Sequence, residues 1–136
     1  MPLPDTPLPR VRRLAAHVFR WPVRTPVRTS FGVMHDRPMV LVEAEAEDGT
    51  RGWGEIWCNF PSVGAEHRAR LVESVLAPML LAEADCTAQR AFRRLTQQTE
   101  VLAIQAAEPG PIAQALAGVD IALWDLAARH AKQTLW

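Results

Sequence analysis

The sequence predicts an α+β fold, a three-stranded antiparallel meander followed by about three helices, and three observations predict it. Residues 39–47 alternate in the two-residue period of a strand. Asp48-Gly49 then supplies a hairpin turn signal. Beyond residue 70 the apolar positions recur at three-and-four spacing instead, so strands give way to helices along the chain.

A leader, residues 1–13, holds Pro2, Pro4, Pro7 and Pro9 and is expected to be disordered; the folded unit is expected over 14–136. Leu14 to Arg24 alternates loosely and reads as the first strand, with Pro22 confining it to a sheet edge or a strand end. In the second strand Val40, Val42, Ala44 and Ala46 point to the core, while Leu41, Glu43, Glu45 and Glu47 point to a face expected to be wet. Asp48 and Gly49 are expected to take positive φ as the two central residues of the turn, and Thr50 to Trp57 returns antiparallel. The glycines of Gly52-Trp53-Gly54 fit a bulge or close packing beside the strand better than a phosphate loop.

Leu71, Val72, Val75, Leu76, Met79 and Leu80 mark the first helix, which Pro78 bends or ends. The second is capped at Asp85 or Thr87 and turns Ala88, Phe92, Leu95, Thr99 and Leu102 to one side. Glu108-Pro109-Gly110 breaks the chain, and Pro111 fits the first turn of a third helix. That helix is apolar twice over. Ile112, Ala115, Leu116, Val119, Leu123 and Leu126 form one stripe; Ala113, Ala117, Ile121, Trp124 and Ala128 form a second. One small domain covers only one of them, so the chain is expected to be the front part of a larger protein.

The 136 residues are enough for one domain with a real core, and 49% hydrophobic with 22% charged residues is ordinary for a globular chain. A net charge of zero gives no electrostatic reason to expect nucleic acid or an anionic membrane as partner. Arg10, Arg12, Arg13, Arg20, Arg24 and Arg28 read as a solvated strand face and tail. No uninterrupted apolar run approaches the roughly 20 residues of a membrane span, and the leader lacks the apolar stretch of a secretion signal, so a cytoplasmic location is expected. Cys58 and Cys86 form no CxxC pair and read as two free thiols.

Complete catalytic chemistry is not visible. His17, His35, His67 and His130 lie far apart in sequence, without the ligand spacing of a metal site. Ser30, Ser62 and Ser74 have no nucleophile-elbow context. Asp120 and Asp125 point away from each other on the helix, so each is expected to accept hydrogen bonds from nearby backbone or an Arg. Two connections mix bulky apolar with hydrogen-bonding groups, Thr29 to His35 between the first two strands and Trp57 to Ser62 after the third. In a meander both lie at one end of the sheet. They fit the lining of a small-molecule pocket and equally a plug of Phe31, Trp57 and Phe60 closing the core.

Thr29-Ser30-Phe31-Gly32, Gly52-Trp53-Gly54-Glu55 and, above all, Ala117-Gly118-Val119-Asp120-Ile121-Ala122-Leu123-Trp124-Asp125-Leu126 resemble the amino-terminal capping domain of the mandelate racemase and muconate lactonising group of the enolase superfamily. The resemblance runs from about Leu14 to Trp136. It implies a cap over a (β/α)8 barrel absent from this chain, with Ile121, Trp124 and Asp125 at the domain interface. It implies Mg²⁺ in the full-length enzyme, held by three acidic barrel ligands, and barrel Lys or His bases that take the proton next to a substrate carboxylate. Neither metal nor catalytic residues are then expected in this chain alone. The substrate implied is a small carboxylate, a hydroxy acid or sugar acid, and the full-length protein is implied to be a homo-oligomer. By analogy Ser30, Phe31, Val33 and His35, with Trp57, Asn59 and Phe60, are the candidate substrate contacts of the lid loops. A reading of another class stays open, a stand-alone interaction domain that binds through the Ile121 and Trp124 stripe.

Overall fold

The computed structural model describes residues 6–85 and 87–135, so Cys86 and the expectations for residues 1–5 and 136 lie outside the described residues. Strands β1 (Val11–Thr29), β2 (Gly32–Ala46) and β3 (Arg51–Ile56) form an antiparallel sheet in the order β1-β2-β3. The helices follow: α1 (Gly64–Leu71), a π-helical turn (Val72–Leu76), α2 (Ala77–Leu81), α3 (Ala88–Gln105) and α4 (Pro109–His130). The α+β meander is as the sequence predicts.

In register, Leu14, Ala16 and Val18 of β1 stand opposite Ala44, Val42 and Val40 of β2, and Gly52, Gly54 and Ile56 of β3 stand opposite Ala44, Val42 and Val40. Since side chains alternate across a strand, this row makes one apolar face, and the helices lie on it. Val40, Val42, Ala44 and Ala46 are fully buried there, with Leu95, Val119, Leu123 and Leu126 among the residues that share the core.

The closest contact runs between β3 and α4. A Cβ on Gly52 would overlap the Ala122 carbonyl and the Leu126 amide, and one on Gly54 would overlap the Gly118 carbonyl oxygen. On α4, a Cβ at Gly118 would meet the Ile56 side chain. Three glycines thus let strand and helix touch backbone to backbone, the close-packing role foreseen for Gly52 and Gly54. Asp125 fastens the same pair: its Oδ2 accepts the Trp53 amide at 2.9 Å and Arg129 Nε at 2.7 Å.

Several expectations need correcting. The strand begins at Val11, and Leu8 is buried in the core, so the leader is ordered from at least that point because an apolar side chain gains from the contact. β1 also runs on to Thr29, with extra residues between Pro22 and Val27, where the register with β2 shifts. The hairpin takes one positive φ, at Gly49 (86°), rather than two. Gly49 N donates to Ala46 O at 3.0 Å and Asp48 Oδ1 accepts Thr50 N at 2.9 Å, so only glycine carries the left-handed residue.

The face expected to be wet is not. Glu43 and Glu45 are 4% and 5% exposed, because Arg12, Arg13, His17 and Arg51 arch over them from the flanking strands. Arg12 and Arg13 are therefore ion-paired strand residues, not a solvated tail. The Arg12 guanidinium, hydrogen-bonded at 2.5 Å, holds the Glu45 carboxyl below the ordinary carboxylate range.

Pro78 does not end the helix. The π-helical turn precedes it, widening the backbone where the proline ring would press on the previous turn, and α2 continues to Leu81. Thr87 is the cap of α3, its side chain accepting Arg90 N at 3.2 Å. Within α3 the buried residues are Ala88, Ala91, Leu95 and Thr99, whereas Phe92 and Leu102 are more than a third exposed; Phe92 lines an open groove between α3 and α4 with Thr99, Ile112 and Leu116. The chain turns at Ala107 (φ 54°) and Pro109 opens α4, two residues before Pro111. By length and composition the 22 residues of α4 would suffice to cross a membrane, against expectation, yet 56% of its most apolar window is buried in the fold.

Candidate functional site

The segment after β3 leaves towards the same end of the sheet as the β1-β2 connection, since β3 runs antiparallel to β2 and its last residue, Ile56, pairs with Val40 near the middle of β2. The first connection is tight. Thr29 Oγ1 accepts Phe31 N at 3.2 Å and donates to Gly32 O at 3.1 Å, so only Ser30 and Phe31 form the turn. Val33 and His35, expected in a loop, belong to β2. A Cβ built on Gly32 would stand 3.7 Å from Phe60 Cε1, which places the turn against the second loop. That loop, 57–63, holds a cis Phe60-Pro61 bond, and Gly64 N donates to Pro61 O at 2.7 Å as α1 begins.

Two clefts open where these segments meet. In one of about 130 Å³, Val33, His35, Asn59 and Phe60 come together with Arg20, Asp36 and Ser62. The other, about 590 Å³, is lined by Trp57 and Asn59 with Phe19, Trp21 and Met39. Five of the seven candidate contacts therefore line a cleft. Ser30 and Phe31 do not; Phe31 is 86% exposed at the tip of the turn. The plug reading fails for Phe31 and for Trp57, which is 56% exposed. Phe19, Trp21 and Met39 escaped notice in the sequence, although Phe19 and Trp21 stand two apart on one strand face, a signal an edge strand would justify.

Arg20 is the charged centre of this end. Its guanidinium donates to Asp36 Oδ1 at 3.1 Å, to Ser62 O at 2.6 Å and to both Glu66 oxygens at 2.8 and 2.6 Å. Arg20 thereby holds the Glu66 carboxyl below the ordinary carboxylate range. It is no free strand arginine, as the sequence suggested. Beneath the loop, Cys58 is buried, and burial pushes its thiol up, which disfavours the reactive thiolate. Buried Arg68 donates to Gln114 Oε1 and to Gly64 O, joining the start of α1 to α4.

On α4 the second apolar stripe has no cover over most of its length. Ala113, Ala117 and Ile121 are exposed, Trp124 is half-buried and only Ala128 is fully enclosed. Asp125 holds Trp53 and Arg129 within this chain, accepting from backbone and an Arg as the sequence reading expects. Asp120 departs from expectation. Its Oδ1 is buried without a hydrogen bond, and burial raises its carboxyl above the usual range. Among the described residues no three His, Cys, Asp or Glu side chains gather as a metal site.

This architecture can be set beside known proteins. The family model described as mandelate racemase / muconate lactonizing enzyme, N-terminal domain, matches residues 13–136. The chain belongs to that family. A mandelate racemase/muconate lactonizing enzyme from Bordetella bronchiseptica RB50 shares 58% identity at a TM-score of 0.84, over 96% of this chain and 32% of that one. A racemase from Streptomyces coelicolor A3(2) with bound magnesium is 27% identical at a TM-score of 0.72, over 89% of this chain and 32% of its own. The D-galactarolactone cycloisomerase of Agrobacterium fabrum (strain C58 / ATCC 33970) is 28% identical over 121 residues, 89% of this chain and 29% of that protein. The N-terminal domain described here thus spans about a third of the length of these relatives. The described residues form no barrel.

Proposed function

We propose that this chain is the substrate-capping lid of an enolase-superfamily enzyme that removes the proton next to a carboxylate, giving racemisation, epimerisation, cycloisomerisation or acid-sugar dehydration. The observation that carries the reading is the opening at the lid end: the first residues of β2 and the loop after β3 meet around one cleft, and a second lies beside Trp57 and Asn59, together mixing aromatic, amide and imidazole groups. The stripe of α4 that leaves Ala113, Ala117 and Ile121 exposed and Trp124 half-buried supports it as the seat of the barrel.

In this reading the chain supplies shape and dryness, not the acid-base step. Closing Phe60 and Trp57 over a bound hydroxy acid or sugar acid excludes water, while His35 and Asn59 offer hydrogen bonds to its hydroxyl groups. Magnesium belongs to the barrel in this proposal; the Streptomyces relative is a racemase with bound magnesium. The described residues of this chain do not fit a magnesium site, and no step of the lid's work runs through one. A homo-oligomeric full-length protein and a cytoplasmic location complete the proposal.

Reading the source genome in frame past the Trp136 codon, then assaying the encoded protein on hydroxy acids and sugar acids, tests it. Some 200 further residues with three spaced acidic ligands, and turnover abolished by chelation, are expected. A folded longer protein inert towards every such acid would refute the reading, and turnover by the 136-residue chain alone would refute its passive role. The uncovered stripe also favours a stand-alone interaction domain, which a compact monodisperse dimer in sedimentation would support.

A further inference from the structure

We propose that Arg20 is a positioning residue that joins the two lid segments into one body, so that the cleft of Val33, His35, Asn59 and Phe60 keeps its shape. This rests on the lid reading above. The inference comes from the geometry of one guanidinium. Arg20 projects from β1 and reaches three other parts of the lid end at once: Asp36 on β2, the Ser62 carbonyl in the second loop, and Glu66 in the first turn of α1.

These contacts tie chain segments far apart in sequence. Arg20, Asp36 and Ser62 also line the smaller cleft, on whose wall stand the candidate contacts from both segments. The planar fork suits the task, because its five donors lie in fixed directions, whereas a lysine ammonium is a single charge on a flexible stem. The side chain of Arg20 is 31% exposed and those of Asp36 and Glu66 are 44% and 47% exposed. Exposed pairs of this kind add little to global stability. Their joint effect falls on the order of the segments they span.

Amide hydrogen exchange on the 136-residue chain tests the latch, comparing Arg20→Met and Arg20→Lys with Arg12→Met, whose ion pair lies at the far end of the sheet. Exchange over 27–36 and 57–66 is expected to rise about threefold to fivefold in both Arg20 variants, the factor that a pair of up to about 1 kcal/mol yields. Arg12→Met leaves those segments unchanged. Full rescue by Lys means that charge alone suffices and overturns the latch. So does a rise confined to one segment, or none at all; the enzyme reading survives either result. In the longer protein, Arg20→Met raises KM severalfold more than it lowers kcat. Normal kinetics despite looser exchange in both segments would sink the lid reading and leave the latch standing.

Discussion

On one side of the sheet, Gly52, Gly54 and Gly118 bring the backbones of β3 and α4 into contact, and nothing polar separates them. On the other side, Glu43 and Glu45 are buried under Arg12, Arg13, His17 and Arg51. Both faces exclude water, but by different physics. The glycine seam depends on steric fit, which has no slack because packed interiors leave no room for an added carbon. The charged face depends on ion pairs whose cations remain about half exposed, and these respond to pH and salt.

The seam is the place to break this contrast most severely. Gly54→Val puts side-chain carbons where the Gly118 carbonyl stands and is expected to cost about 3 kcal/mol or more. Urea unfolding measures it, and a loss under about 1 kcal/mol would show the seam to be adjustable after all. Glu43→Leu is expected to cost less, about 2 kcal/mol at low salt, because it leaves Arg13 and Arg51 without their carboxylate and His17 without its hydrogen-bond partner, while the exposed heads can still reach water. Raising the salt should shrink that loss; an unchanged loss would mean packing, not charge, holds the face.

Acid sharpens the contrast with the smallest effect. Glu45 and Glu66 have folded-state carboxyls depressed below 4.5 by their arginine partners. A depressed carboxylate contributes stability that is fully present above its unfolded value and is lost as pH falls through the lower folded one. Stability measured between neutral pH and pH 3 should therefore hold steady and then decline below about 4.5. Arg12→Met should flatten the part of that decline due to Glu45. Gly54→Val should lower the whole curve without changing its slope.

The same contrast explains what the sequence could and could not disclose. The strand period of residues 39–47, the Thr87 cap and both stripes of α4 are local patterns, set by the repeat of a single element, and each is present in the structure. The burial of Glu43 and Glu45 is not local, because the arginines that cover them come from two other strands and only the register brings them near. Read on β2 alone, those glutamates belong in water. The failure at Phe92 has the same origin: its spacing fits the stripe, and only the tertiary fold decides that Ala91 is buried while Phe92 lines an open groove between α3 and α4. At the lid end the segments themselves were legible, but Arg20 was one arginine among six in the first thirty residues until Asp36, Ser62 and Glu66 were found around it.

The Asp125 carboxylate on the Trp53 amide has one more consequence. β3 is the outer strand of an open sheet, and an unpaired amide there is a template on which a strand of another molecule can grow. Asp125 occupies that donor with its own chain, while Pro22 interrupts the opposite margin along β1. Each margin of the sheet thus carries one feature that disfavours the addition of a strand from another molecule.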